Sequence, residues 1–155
     1  MSYRKFAAMV ATSTVVMFGL MYLNTYSSEH VRFSQTRMWM ALIMGAAMAI
    51  TMLAFMRKMY GNPRANLAIV VGSLGILAVA LWLVRSQSTV GDVAYMKAMI
   101  PHHSIAIMTS ERANIRDPRV RKLADGIIET QVKEIREMNS LIRDLEASGQ
   151  DQSAN

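Results

Sequence analysis

Long apolar stretches dominate the first half of the chain, and amphipathic, charged ones make up the second. Residues 6–23, 38–56 and 67–84 are uncharged runs of 18, 19 and 18 residues. Each is as long as a helix must be to cross a bilayer core of ~30 Å. The first run follows a basic pair, Arg4 and Lys5, as in a signal peptide. It is longer than the ~7–15 apolar residues such peptides carry, and no small-x-small cleavage site follows it. We read it as an uncleaved span, so residues 1–86 are expected to form a three-span membrane anchor in contact with the lipid bilayer.

From residue 87 the pattern changes. A short polar linker, 87–91, leads to Asp92, expected as the N-cap of a helix running to about Asn114, interrupted by Pro101. Asp117 and Pro118 supply an N-cap and a first helical residue for a second helix, which should run to about Ala147 with Gly149 beyond its end. So short a connection implies an antiparallel hairpin over 92–147, followed by a polar, flexible tail, 148–155. On the second helix Val120, Ala124, Ile127, Gln131, Glu134, Met138, Leu141 and Leu145 alternate steps of four and three, the spacing of helix-on-helix packing. Leu123, Ile128, Ile135 and Ile142 fall off that seam. The matching line on the first helix is Asp92, Met96, Met99, His103, Ala106, Ser110 and Ala113. The fold class is therefore all-α. Two helices cannot bury both faces of either one, so two hairpins are expected to pair into a four-helix bundle as a homodimer.

Charge fixes a topology. Arg4, Lys5, Arg57, Lys58 and Arg64 lie on one side of the three runs, and Arg32, Arg37 and Arg85 on the other. The excess places the N-terminus in the cytoplasm and the hairpin outside it. In a Gram-negative bacterium that is the periplasmic face of the inner membrane. The net charge of +6 is thus explained by juxtamembrane segments. The hairpin carries mixed charges and no aromatic platform, which argues against nucleic acid. The absence of cysteine excludes disulfides, zinc-thiolate sites and thiol catalysis.

The candidate chemistry sits in the hairpin. Met96, Met99 and Met108 fall within thirteen residues that also hold His102 and His103, and thioether with imidazole is a ligand set that suits copper. An antiparallel arrangement can bring Met99 and His103 to Gln131, Glu134 and Met138. Two explanations are open. His103 can hydrogen-bond to Glu134 or Gln131 and set the hairpin's register, since a buried polar group left unpaired costs about 1–3 kcal/mol. Alternatively Met96, Met99 and Met138 with His102 or His103 hold a metal: thioethers favour Cu(I), while imidazole with Glu134 suits Cu(II) or zinc. Adjacent histidines point about 100° apart on a helix, so one can serve the hairpin while the other faces solvent or a second subunit. Met40, Met44, Met48, Met52 and Met56 recur every four residues but drift over about 160° of the helix. They are read as packing or lipid contact, whereas Ala41, Gly45 and Ala49 offer a small-residue face for another span.

The sequence Met96-x-x-Met99-Ile100-Pro101-His102-His103, then Ala106-Ile107-Met108, then Gln131-x-x-Glu134-Ile135-x-x-Met138 resembles the family catalogued as domain of unknown function 305, over about 92–145. The three apolar runs resemble the membrane anchor of a proteobacterial branch of that family. The resemblance implies a ferritin-like helical fold, an extracytoplasmic location and copper binding linked to copper resistance. It carries over onto Met96, Met99, His102, His103, Met108 and Met138 as metal ligands, with Gln131 and Glu134 as supporting polar residues. Many members follow the two histidines with Gln and Gly, where this chain has Ser104 and Ile105. The function expected is a membrane-anchored periplasmic copper-binding protein that buffers, sequesters or delivers copper, with periplasmic copper proteins as partners. The alternative is a metal-free helical interaction module of the cell envelope. No nucleophile, base and orienting group stand together, so no enzyme is expected. His30, in the first loop, is read as incidental.

Overall fold

In a computed structural model the described residues are 2–149, and among them there are five α-helices and no strand. They are α1 (Tyr3–Leu20), α2 (Gln35–Met56), α3 (Pro63–Ser86), α4 (Asp92–Arg112) and α5 (Pro118–Ala147), with 3-10 turns at Ser28–His30 and Arg57–Met59. The chain divides into two compact units. One runs to Met21 and resumes over Thr36–Ser88; the other combines Tyr22–Gln35 with the chain from Thr89 onward.

In the first unit, α2 continued through its 3-10 turn (Gln35–Met59) and α3 are long and apolar enough to cross a membrane. Only 28% and 11% of their most apolar windows are buried, unlike the core helix of a soluble protein. On α3, Leu67, Val71, Leu74, Val79 and Trp82 are all exposed. Helix α1 does not qualify as a span among the described residues. It begins three residues before the expected run, taking in Arg4 and Lys5, and ends at Leu20 rather than at 23. The small-residue face of α2 is used as expected: Ala41, Gly45 and Ala49 are buried, and Gly45 lies so close to Thr14 of α1 that any Cβ there would collide with its side chain. Thr14 turns its hydroxyl back to the Val10 carbonyl at 2.8 Å, which satisfies it without water. Asn62 caps α3 with Pro63 at its first turn, and Gln87, in left-handed backbone at φ 52°, ends it.

The second unit is built on the expected hairpin. Asp117 accepts from the Arg119 amide as N-cap of α5, and that helix has the anticipated bounds. Helix α4 runs unbroken past Pro101 to Arg112, and its N-cap is Gly91, with Asp92 already inside the first turn. From the expected tail, 148–155, Ser148 caps α5; residues from 150 lie outside the described ones. The seam is rotated by one position from the expected line. The core holds Val93, Met96, Ile100 and Ile107 of α4 against Ile135 and Ile142 of α5, with Ile128, Val132, Met138 and Leu145 packed around it. Val120, Ile127 and Leu141, placed on the seam by the sequence, are exposed. The reason is a third element. The segment Tyr22–Gln35 lies in the same unit, so α4 buries one flank against α5 and another against that loop.

Candidate metal centre

Beside this core is an open cavity of about 530 Å³ lined by Met96, Met99 and His103 of α4 and by Glu134 and Met138 of α5. The helical spacing explains the convergence. Met96, Met99 and His103 follow one another at steps of three and four, as do Glu134 and Met138, so each set occupies one side of its helix. Antiparallel packing then faces the two sides, and a Lys97–Glu146 ion pair at 2.6 Å closes the hairpin's open end. Asp92, Glu137 and Asp144 also line the cavity, so four carboxylates surround three thioethers and one imidazole. Such a concavity concentrates cations.

The His103 ring is the most constrained group in it. Its Nδ1 lies 3.0 Å from the Met99 carbonyl and its Nε2 2.8 Å from Glu134 Oε2. Both neighbours are acceptors, so a neutral, singly protonated ring satisfies only one of them. With hydrogen on Nε2 the ring donates to Glu134; with Nδ1–H donating to the Met99 carbonyl, Nε2 presents its lone pair beside the carboxylate, where it could ligate a metal ion. A histidine whose other nitrogen is fixed to a backbone carbonyl is the arrangement in which imidazoles ligate metals. Gln131 donates to the same Glu134 oxygen at 3.4 Å.

The expected ligands therefore separate. Met96, Met99, His103 and Met138 come together, with Glu134 beside them and Gln131 supporting. His102 is exposed, its ring 6.3 Å from that of His103, and Met108 is half-buried away from the cavity lining. Among the described residues no three His, Cys, Asp or Glu side chains form a metal-binding group, so a site here depends on methionine.

The residues that sequence reasoning passed over are His30 and Ser104. Ser104 is fully buried; its Oγ accepts from the Tyr26 amide and lies 2.9 Å from both Tyr26 N and His30 Nδ1. One hydrogen is shared between this hydroxyl and the His30 ring, its direction set by the ring's tautomer. Around this clasp Arg112 stacks over the Tyr26 ring at 5.9 Å, within cation–π range. A hydrogen bond to Glu111 and its negative charge hold the Tyr26 phenol above its ordinary pKa. The one signal available was the pair Ser104 and Ile105, where the resembling family often has Gln and Gly.

A family profile described as "Domain of unknown function (DUF305)" matches residues 86–155. An uncharacterized protein of Acanthamoeba polyphaga mimivirus is 30% identical over 142 residues, covering 87% of this chain and 91% of its own. That likeness reaches well beyond the residues the profile matches. No solved structure matches.

Proposed function

The chain belongs to the family of the domain of unknown function DUF305, and on that premise we propose that it is a membrane-anchored copper-binding protein. The observation that carries this reading is the convergence of Met96, Met99, Met138 and His103 on one acidic cavity, with His103 Nε2 set against Glu134. The donor set fits copper: thioethers select Cu(I) over zinc, calcium and magnesium, while imidazole and carboxylate also accommodate Cu(II). His103 would ligate through Nε2, with Met96, Met99 and Met138 supplying sulfur and Glu134 neutralising charge. His102 and Met108 stand outside that set and are available to a second copy of the chain. The role is binding, in buffering, sequestration or delivery to periplasmic copper proteins, rather than catalysis.

In this proposal α2 and α3 cross the inner membrane, α1 is a third and shorter span, and the lysine and arginine balance leaves the hairpin on the periplasmic side. Two hairpins pair into a four-helix bundle, using the exposed Leu123, Ile127 and Leu141. The contrary reading, a metal-free helical interaction module, draws on the same His103–Glu134 bond, which already joins the two helices. Titration of the full-length protein in detergent with Cu(I) or Ag(I) separates them. Met99→Ala with His103→Ala should weaken binding by about tenfold or more. Equal binding by variant and parent would sink the metal reading and leave the interaction module.

A further inference from the structure

On the other flank of α5 lies a second cavity, of about 540 Å³, within the same unit. Its polar lining is Glu29, His30, Arg32, Arg136, Asn139 and Arg143. Arg136, Asn139 and Arg143 are three, four and seven residues apart and share one face of α5. Arg32 reaches the same place from the loop, donating to Asn139 Oδ1 at 3.4 Å. Three guanidiniums thus stand over one concavity against a single carboxylate, Glu29. Some hairpin cations sit on carboxylates, Lys97 on Glu146, Arg119 on Asp117 and Arg121 on Asp125. Arg136 and Arg143 have no such partner among the described residues.

The histidine adds a neutral donor. The His30 ring lines the cavity, and in the tautomer that accepts from Ser104 Oγ at Nδ1 its hydrogen is on Nε2. We propose that this cavity binds a phosphate group, held by the guanidiniums of Arg32, Arg136 and Arg143 and by the His30 Nε2–H. Guanidinium forks match phosphate oxygens in pairs, and the wall's excess of positive charge favours an anion. The ligand is either free phosphate or the headgroup of an anionic phospholipid, and in both cases its bonds tie the first loop to α5. The site stands apart from the copper reading and survives if that reading fails.

The test uses full-length protein in detergent, stripped of lipid and titrated with inorganic phosphate by calorimetry. Saturable binding is expected, weakened about tenfold or more in Arg136→Gln with Arg143→Gln. Lys122→Gln with Lys133→Gln removes the same charge from residues that do not line the cavity, and should change affinity less than about twofold. His30→Ala, which keeps all three arginines, should also weaken binding, by about threefold or more. Native mass spectrometry of protein purified with its lipids distinguishes the sources. Retained phosphatidylglycerol, lost in the arginine variant and displaced by phosphate, assigns a headgroup; phosphate binding without lipid retention assigns the free ion. Equal weakening by the arginine and lysine variants, or no saturation at about 20 mM phosphate, overturns the proposal.

Discussion

The two flanks of α5 enclose cavities of nearly equal size, 530 and 540 Å³, and opposite chemistry. One gathers Asp92, Glu134, Glu137 and Asp144 around thioethers; the other gathers Arg32, Arg136 and Arg143 around a histidine and an asparagine. The ridge between them is apolar, with Ile135 and Ile142 buried against α4. Helical geometry makes the separation possible. Glu134 and Arg136 are two residues apart and therefore about 160° apart around the axis, so adjacent stretches of sequence serve opposite sides. A single amphipathic helix, with charges on both sides of its apolar ridge, thus presents two cavities of opposite sign.

The largest effect should come from a change that breaks both sides together. Ile100 is fully buried in the shared core, and Ile100→Ala should cost about 2–5 kcal/mol. Thermal unfolding followed by circular dichroism reads that loss, and the proposed copper and phosphate binding should weaken in parallel. Ser104→Ala should separate the flanks instead. It leaves the Tyr26 amide and His30 Nδ1 without their partner, costing about 1–3 kcal/mol. Hydrogen exchange at the Tyr26 amide should accelerate while the His103–Glu134 pairing persists. Faster exchange across α5 would show that the flanks are not separable. Glu134→Gln acts on the acidic side alone. It turns a charge-assisted bond to His103 into a neutral one at a half-exposed carboxylate, a loss of about 0.5 kcal/mol after solvent screening, measurable as a small shift in denaturant midpoint.

The smallest expected effect belongs to neither flank. Asp117 is held below the ordinary carboxylate range by hydrogen bonds from the Arg119 side chain and backbone. A depressed folded-state pKa gives stability that is present above the unfolded value and is lost as pH falls through the folded one. Helicity at the start of α5 should therefore weaken only below about pH 4, as NMR titration of the Asp117 carboxyl would show.

The helices were legible because their boundaries are written locally. Asp117 and Pro118 start α5, and the uncharged runs mark α2 and α3, although the Asn62 cap and Pro63 that start α3 lie ahead of its expected run, 67–84. The pairing of His103 with Glu134 was legible too, since the antiparallel seam brings polar positions together. The rotation of that seam was not. It depends on the loop Tyr22–Gln35, whose contact with Ser104 spans 78 residues of sequence, and no periodicity within α4 or α5 encodes an element so distant. For the same reason the basic cavity was invisible: Arg136 and Arg143 read as a solvated face until Arg32 and His30 are placed opposite them. Helix α1 falls short of a span because it begins at Tyr3, taking in Arg4 and Lys5, and ends at Leu20, a shift that a count of uncharged residues does not reveal.

The clasp at Ser104 also imposes a parity. Tyr26 precedes α2 and Ser104 follows α3, yet the two atoms lie 2.9 Å apart, and no bilayer fits between them. If α2 and α3 cross a membrane, as proposed, they must then do so as an out-and-back pair, since Tyr26 and Ser104 stay on one side.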